Sequence, residues 1–347
     1  MFIVLKTLFL AIFLAVIFTH LMRLLALRLK FVDMPGERKI HQYPMPLMGG
    51  WAIYISLSSV LWINKLLFTG SIPYLLIVGL MLLLVGTFDE RGLLHSQIKL
   101  FIAMPVAGLI MALVGVKFDI FYPLFNKSLL DILFTVFWFT GFIASFGIID
   151  HMDGLNSGLS LIAALFFAGL FFLHHNLFMT YVSLIYAGSV LGFCFFNFHP
   201  AKIFLGDGGA MLNGFMMGFL SINLSRQIGH PLIKIIFPLF ILIVPCLDTS
   251  LCILSRSRRK LIPFASPGKD HIAHRLMNLG LSQRTVVIML YSIAVLGGLI
   301  ALFSPALSSN FIFIILVTCL FLYIVFILWM ENLPFIRQTK NEFREKI

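Results

Sequence analysis

Long apolar runs separated by short polar connections dominate this chain. Eleven of these runs approach the roughly 20 residues that an α-helix needs to cross a hydrocarbon core. They cover residues 2–20, 46–64, 71–88, 100–116, 131–148, 158–174, 178–196, 210–225, 233–254, 286–303 and 309–330. Backbone polar groups in lipid must be satisfied internally, and the runs are much longer than barrel strands. The pattern therefore predicts an all-α fold, a polytopic transmembrane bundle of about eleven helices.

Composition agrees with a membrane setting. Hydrophobic residues make up 60% of the 347 residues and charged residues 11%, and the mean hydropathy is +1.03. A soluble domain has about 25% charged residues, so this composition cannot supply a water-exposed surface. The first run contains a single lysine and no small-residue cleavage site follows it, so we expect a retained helix rather than a signal peptide. We expect one transmembrane domain over residues 1–336 and a short basic tail over 337–347.

Basic residues are distributed unevenly between the two sides of the predicted bundle. Nineteen of the 25 Lys and Arg residues fall on the side that carries the C-terminal tail, and six fall on the other side. Because retained basic loops mark the cytoplasmic side, the N-terminus is predicted to be outside and the C-terminus cytoplasmic. This bias also explains the net charge of +11 without a nucleic-acid partner.

The same alternation places most polar chemistry on the cytoplasmic side. The connections there hold six acidic residues, Asp89, Glu90, Asp150, Asp153, Asp207 and Asp270. On the outer side Asp119 and Asp131 lie near helix ends, where we expect solvated or headgroup positions. The sequence therefore predicts a site that faces the cytoplasm.

Three of the cytoplasmic connections carry carboxylates beside helix ends. They are Gly86–Arg91, Asp150–Asn156 and the segment Asn197–Gly209, in which Gly-Asp-Gly-Gly opens a helix. Each alone has an ordinary explanation, a solvated loop or a tight turn. Ionised groups beside hydrocarbon need water, cations or a metal, and Mg²⁺ takes oxygen ligands and bridges phosphates. Together the three connections predict a site for a divalent cation and a diphosphate.

Basic and histidine clusters complete the candidate chemistry. Arg38, Lys39 and His41 follow the first helix, and Lys269 to Arg275 contains His271 and His274. These groups are suited to phosphate oxygens, although cytoplasmic basic bias explains most of the Lys and Arg by itself. One His pair without a nearby Cys is a weak signal for zinc. The four cysteines form no CxxC pair and suggest no disulfide framework.

Five motifs follow one another between residues 33 and 276. They are Asp33-x-Pro35-x-x-Arg38-Lys39-x-His41-x-x-Pro44-x-Pro46-x-x-Gly49-Gly50, Gly86-x-x-Asp89, Asp153-Gly154-Leu155-Asn156-x-Gly158-Leu159, Asn197-Phe198-x-Pro200-Ala201-Lys202-Ile203-Phe204-x-Gly206-Asp207 and Asp270-His271-Ile272-x-His274-Arg275-Leu276. The ordered set resembles the polyprenyl-phosphate N-acetylhexosamine-1-phosphate transferases of glycosyltransferase family 4. It is closer to the undecaprenyl-phosphate N-acetylglucosamine-1-phosphate transferase branch than to the phospho-N-acetylmuramoyl-pentapeptide branch.

The resemblance implies a reaction and a location. A UDP-N-acetylhexosamine, with N-acetylglucosamine as the first expectation, and undecaprenyl phosphate would give the lipid-linked sugar diphosphate and UMP, with Mg²⁺ or Mn²⁺ on the pyrophosphate. The enzyme would lie in the bacterial cytoplasmic membrane with its site facing the cytoplasm. It would start a lipid-linked cell-surface glycan such as O antigen.

The resemblance also implies roles for individual residues. Asp207 would bind the metal, and Asp89 would either join it or deprotonate and orient the lipid phosphate; Glu90 is the third residue assigned to catalysis. The remaining residues would bind substrate: Asp153, Asn156 and Asn197 at the nucleotide, His271 and His274 at the phosphates or sugar, and Arg38, Lys39 and His41 at phosphate charge near the membrane surface.

Three positions depart from the family pattern. Glu90 stands where Asp is usual, Asp150 where Asn is common, and Ala273 replaces one histidine of a His-x-His-His pattern. We expect a transferase with altered sugar specificity rather than a disabled paralogue, since the principal acids and His271 and His274 are present. A transporter that couples ions through its carboxylates and a non-catalytic membrane scaffold are the alternatives. A homodimer is left open.

Overall fold

The structure is a computed structural model that describes residues 2–35, 43–94, 96–125, 128–229, 231–261, 270–303 and 309–333. The described chain is almost entirely helical, which confirms the predicted all-α class. In chain order the helices are α1 (Phe2–Arg28), α2 (Gly49–Ile63), α3 (Ile72–Glu90), α4 (Ser96–Ile98), α5 (Met104–Leu113), α6 (Phe121–Phe125), α7 (Ser128–Ile149), α8 (Leu155–Leu173), α9 (Leu177–Asn197), α10 (Asp207–Ser225), α11 (Pro231–Ile241), α12 (Ile243–Arg258), α13 (Ile272–Asn278), α14 (Gln283–Phe303) and α15 (Ser309–Asn332). A π-helical segment, Lys99–Ala103, joins α4 to α5.

Two very short strands were not predicted. They are β1 (Val32–Asp33) and β2 (Met45–Pro46), which pair antiparallel with Val32 opposite Pro46. The chain after β2 bonds to the segment before α10, because the amide of Gly50 donates to Leu205 O at 2.8 Å. These bonds tie the start of α2 to the start of α10.

Each of the eleven predicted segments coincides with helix. Six helices of the described chain are long and apolar enough to cross a membrane alone, namely α1, α3, α7, α8, α9 and α14, and α11 with α12 forms a bent seventh candidate. The protein is therefore a multi-pass membrane protein. The total of eleven spans and the orientation of the termini remain predictions.

The predicted single helix over 233–254 is wrong. Helices α11 and α12 meet at an angle of 90°. Pro245 lies four residues after Ile241, the last residue of α11. Proline lacks the amide hydrogen and its ring clashes with the carbonyl four residues earlier, so a straight helix cannot continue through this point.

Helix α10 forms the centre of the bundle, where it packs against α2, α3, α7, α8 and α11. Almost every residue between Gly208 and Ser225 is buried. Glycines allow the closest contacts: a Cβ on Gly86 of α3 would lie 2.2 Å from the amide nitrogen of Gly208, and one on Gly50 of α2 would lie 2.3 Å from Gly209 Cα. The start of α10 therefore lies directly against the last turn of α3.

Candidate functional site

Two carboxylates converge at the contact between α3 and α10. Asp89 belongs to the last turn of α3, one turn after Gly86, and Asp207 is the first residue of α10. Lys99 donates hydrogen bonds to Oδ2 of both carboxylates. Asp207 is 47% exposed, whereas Asp89 is 10% exposed, so a ligand can reach the pair from the Asp207 side. The structure thus brings the two predicted metal ligands together around one positively charged group, the Lys99 ammonium.

Glu90 lies beside this pair but points to the backbone. Its Oε1 accepts a hydrogen bond from the amide of Asp207 at 2.5 Å. The φ angle of Gly206 is +80°, and a Cβ there would lie 2.8 Å from Glu90 Oε1, so the turn before α10 requires glycine. Glu90 therefore holds the first residue of α10, and its direct part in catalysis remains a prediction.

Asp150 adds a third carboxyl group beside the pair. It follows the last residue of α7. Burial, together with the negative charges of Asp207 and Asp153, raises the pKa of Asp150 to about 8. A carboxyl group whose pKa rises in this way lies where negative charge is crowded, and a cation bound nearby would relieve the crowding.

The convergence of Asp89 and Asp207 fits a hard divalent cation. The Lys99 ammonium occupies the position to which both carboxylates point, which shows that the position favours positive charge. Carboxylate oxygens are the ligands that Mg²⁺ prefers, and such sites commonly use one or two carboxylates together with substrate phosphates. Asp89 and Asp207 are therefore the residues that could hold a metal.

The residues predicted to bind the nucleotide form a neighbouring group, and their contacts in the structure are with other parts of the protein. Asp153 Oδ2 lies 2.9 Å from His199 Nδ1 and accepts from the amide of Ala201 at 3.1 Å. Asn156 is buried, where it donates to Phe146 O and accepts from Asn213. Their contact with a nucleotide remains a prediction.

Asn197 is likewise buried at the end of α9. It accepts a hydrogen bond from the hydroxyl of Ser157 at 2.7 Å and donates to Ile203 O at 3.0 Å. These bonds fix the ends of α8 and α9 relative to the segment that leads to Asp207. Asn197 thus positions that segment in the described structure.

Three histidine rings lie together beside α12 and α13. They belong to His151, His271 and His274, and we call them the histidine stack. The ring centroids of His151 and His271 are 4.2 Å apart with an angle of 26° between the planes, and those of His151 and His274 are 4.9 Å apart. Burial and the neighbouring His271 lower the pKa of His151 well below its ordinary value. His151 directly follows Asp150, so the histidine stack borders the carboxylate cluster.

The histidine stack is poorly shaped for a metal. Ligand atoms of His151, Asp248 and His271 lie within 4.8 Å of one another, a spacing that an ion can bridge. Imidazole lone pairs lie in the ring plane, so the nearly parallel rings of His151 and His271 direct theirs side by side. A tetrahedral zinc site needs ligands that converge on one point. The arrangement is a stacked cluster held by a buried acid.

A buried ionic network supports the segment that carries the histidines. Arg256 of α12 donates twice to the Asp270 carboxylate, at 3.0 and 2.9 Å, and Arg259 donates to the same group. Burial alone would raise the pKa of Asp270, but the hydrogen bonds and positive charge of Arg256 outweigh it and hold the pKa at about 2. Asp270 therefore anchors the start of α13 to α12.

Sequence reasoning missed two residues of this region. Lys99 counted only toward the basic bias, and Asp248 was not singled out, although an acid inside a predicted span is itself a functional signal. Asp131, expected to be solvated, is instead 1% exposed and accepts three backbone hydrogen bonds, from Ile120, Phe121 and Tyr122. Arg38, Lys39 and His41 lie outside the described residues.

The fold and the site define a polytopic membrane protein with carboxylates gathered at one mouth of a helical bundle. Residues 72–225 match the glycosyl transferase family 4. This segment includes Asp89, Asp153 and Asp207.

Relatives match far beyond that segment. A probable undecaprenyl-phosphate N-acetylglucosaminyl 1-phosphate transferase of Bacillus subtilis is 31% identical over 331 residues, 94% of this chain and 90% of that protein. A decaprenyl-phosphate N-acetylglucosaminephosphotransferase of Mycolicibacterium smegmatis is 32% identical over 79% of this chain and 75% of its own length. An undecaprenyl-phosphate alpha-N-acetylglucosaminyl 1-phosphate transferase of Escherichia coli is 25% identical over 88% and 86%. The chain belongs to glycosyl transferase family 4 and is an enzyme of the phosphoglycosyltransferase type.

Proposed function

We propose that this enzyme transfers N-acetylglucosamine 1-phosphate from UDP-N-acetylglucosamine to undecaprenyl phosphate and releases UMP. The observation that carries the proposal is that Asp89 and Asp207 converge at the contact of α3 and α10, where both accept hydrogen bonds from the Lys99 ammonium. The names of the relatives support the sugar and the polyprenyl acceptor. The bias of basic residues toward one side of the bundle supports a site that faces the cytoplasm, and in the bacterial cytoplasmic membrane the enzyme would start a lipid-linked surface glycan.

The chemistry requires little more than charge neutralisation and alignment. An oxygen of the lipid phosphate forms a bond to the β-phosphorus of the donor, and the bond from this phosphorus to the bridging oxygen breaks. The electron pair stays with the bridging oxygen, which leaves as part of UMP. Phosphoryl transfer of this kind depends on positioning and electrostatic stabilisation. Lys99 and the residues that order α10 meet this need.

The proposed metal is Mg²⁺ or Mn²⁺ bound by Asp207 and Asp89. When bound, such an ion neutralises charge on the pyrophosphate. In the described structure the Lys99 ammonium contacts the same carboxylate oxygens, so a metal bound by Asp89 and Asp207 would displace it. The displaced ammonium would then be available to the donor phosphates.

An apolar cavity supplies a place for the lipid chain. Its volume is about 680 Å³, and it is lined by residues of α7, α11, α12 and α15 that include Phe137, Gly141, Phe142, Ser145, Phe240 and Tyr323. Ser145 precedes Asp150 by five residues, a rise of about 7.5 Å along a helix. A prenyl chain in the cavity would thus hold its phosphate near the carboxylates.

The testing experiment measures UMP release by the purified full-length protein with undecaprenyl phosphate and a panel of UDP-N-acetylhexosamines. We expect release that requires lipid, requires Mg²⁺ or Mn²⁺ and stops with EDTA. Asp207→Asn should lower turnover roughly 100- to 1000-fold, the scale for loss of one electrostatic group at a reacting centre.

The control is Asp131→Asn, which alters a carboxylate at the opposite end of α7 from Asp150. It should retain wild-type turnover in the folded fraction. Metal-independent release, or full activity of a folded Asp207→Asn protein, would refute the metal assignment. Solute transport without UMP release would favour the transporter alternative.

A further inference from the structure

A buried acid holds one histidine of the stack. Asp248 lies in α12 and is 2% exposed; His271 is 6% exposed. Asp248 Oδ2 lies 2.8 Å from His271 Nδ1, and Oδ1 accepts a hydrogen bond from the amide of Ile272 at 2.8 Å. Burying an ionised acid in an apolar helix costs free energy unless a partner stabilises its charge. The partner here is the first turn of α13 and its histidine.

The contact decides which nitrogen of His271 carries hydrogen. A carboxylate has only acceptors, so the bond requires hydrogen on Nδ1. Nε2 is then the nitrogen left for another group, and it donates only when the ring is protonated. The stacked His151 is arranged in the same way, since its Nδ1 lies 3.2 Å from Ile148 O, which can only accept. Its Nε2 is buried and meets no hydrogen-bond partner within the described part of the chain.

The side chains around His271 lie in or beside α12 and α13 and in the segment after α7. The titratable and charged groups that face it are Asp248 and Cys252 of α12, His151 after α7, His274 of α13 and the adjacent Asp270, whose charge is taken up by Arg256 and Arg259. Asp248 is thus the negative group in direct contact with the ring that is not already paired with an arginine in the described structure.

We propose that Asp248 is a positioning residue for His271. It holds the ring with hydrogen on Nδ1, and its negative charge stabilises the imidazolium, whose protonated Nε2 would donate to an anionic oxygen of the donor diphosphate. The inference rests on the proposed function, because it gives the donor to the site. Asp248 would thus affect the donor only through its contact with His271.

The test compares the wild type with Asp248→Asn, Asp248→Glu and Asp131→Asn in purified full-length protein. UMP release gives kcat and KM for the UDP-sugar between about pH 5 and 8, the range around an ordinary histidine pKa. Asparagine has one acceptor, which the Ile272 amide occupies, so its NH₂ group faces His271 and favours hydrogen on Nε2 instead.

We expect Asp248→Asn to lower kcat/KM for the donor about 10- to 100-fold, the scale of a hydrogen bond to a charged group. The variant should also lose the pH dependence that His271→Gln removes from the wild type. Asp248→Glu should restore part of both. Asp131→Asn, which also removes a buried backbone-bonded carboxylate, should lower the melting temperature and leave the pH profile unchanged.

Wild-type kinetics and an unchanged pH profile in Asp248→Asn would overturn the proposal, as would an equal change of profile in Asp131→Asn. If Asp248→Asn does not fold, ¹⁵N-histidine spectra of the wild type, assigned with His271→Gln, decide the matter. Hydrogen on Nδ1 of His271 supports the proposal, and a neutral ring with hydrogen only on Nε2 overturns it. A wild type that releases no UMP would refute the proposed function, while the spectra would still test the Asp248 contact.

Discussion

The role of Lys99 follows from the two carboxylates that it contacts. It lies at the start of the π-helical segment and contacts carboxylates from two other helices, one of them 108 positions further along the chain. A lysine in a basic loop is usually explained by topology alone. Here its ammonium occupies the position where a metal is proposed.

Replacing Lys99 should therefore strengthen metal binding. Without the ammonium, Asp89 and Asp207 repel each other, and a divalent cation no longer competes with a fixed positive charge. We expect Lys99→Met to bind Mn²⁺ at least about 10-fold more tightly, since charges a few ångströms apart interact by more than 1 kcal/mol outside bulk water. Electron paramagnetic resonance titration measures this affinity. Lys202→Met is the control and should bind Mn²⁺ as the wild type does; unchanged affinity in Lys99→Met would contradict the competition.

Asp150 should make the protein less stable as the pH rises. Its pKa is about 8 in the folded chain and about 3.9 in an unfolded one. The folded state therefore holds the extra proton, and stability falls between about pH 4 and 8 as the buried group is forced to ionise. Asp150→Asn should raise the melting temperature more at pH 8 than at pH 6. Melting curves without divalent metal test this, with the 55% exposed Asp119 replaced by Asn as control; an equal gain at both pH values would contradict the assignment.

At the scale of elements, the contact of α3 with α10 does most to form the site. Gly86 and Gly208 allow the two backbones to touch, and Asp89 and Asp207 both lie within one turn of that contact. After the bend between α11 and α12, Asp248 of α12 contacts His271 and the amide of Ile272 at the start of α13. Both features depend on residues without catalytic groups.

Gly86→Ala should separate α3 from α10. The new Cβ would meet the Gly208 amide at 2.2 Å, and backbone cannot move aside as a flexible side chain can. We expect a loss of about 1–3 kcal/mol of stability, the usual cost of overpacking, together with loss of turnover. Gly147→Ala in α7 meets nothing within 4 Å and should be neutral or up to about 1 kcal/mol more stable. Thermal unfolding and UMP release provide both measurements; wild-type turnover in Gly86→Ala would show that the close contact is dispensable.

At the scale of the whole molecule, the apolar cavity is a property of packing between distant helices. Residues 137 to 145, 236 to 250 and 317 to 323 all contribute to its walls. No single segment of the chain encloses it. Its role as the lipid site is therefore best tested by filling it.

Gly141→Phe should weaken use of the lipid without affecting the nucleotide. Gly141 lines the cavity and has nothing within 4 Å of a Cβ. A ring there would displace about two methylene groups of the prenyl chain, worth about 0.8 kcal/mol each, so KM for undecaprenyl phosphate should rise about 10-fold. KM for the UDP-sugar should not change. Gly147→Phe on the same helix lies outside the cavity lining and is the control; an unchanged lipid KM in Gly141→Phe would place the prenyl chain elsewhere.

The sequence by itself determined the helical class, most of the helix positions and the residues of the carboxylate cluster. Apolar runs of membrane length can satisfy their backbone only as helices in lipid, so the pattern leaves little choice. The acids beside helix ends were visible for the same reason, because charge is excluded from the runs. Asp89 and Asp207 could thus be expected at one mouth of the bundle before any coordinates were known.

Only the tertiary structure decided how these residues are used. The carboxylates of Asp89 and Asp207 share Lys99, Glu90 turns to the backbone, and Asp248 of α12 contacts His271 at the start of α13. Such contacts join residues far apart in the chain, and hydropathy describes each segment without its neighbours. Helix packing, set by glycine contacts and by Pro245, is the physical reason that the same polar residues form one site.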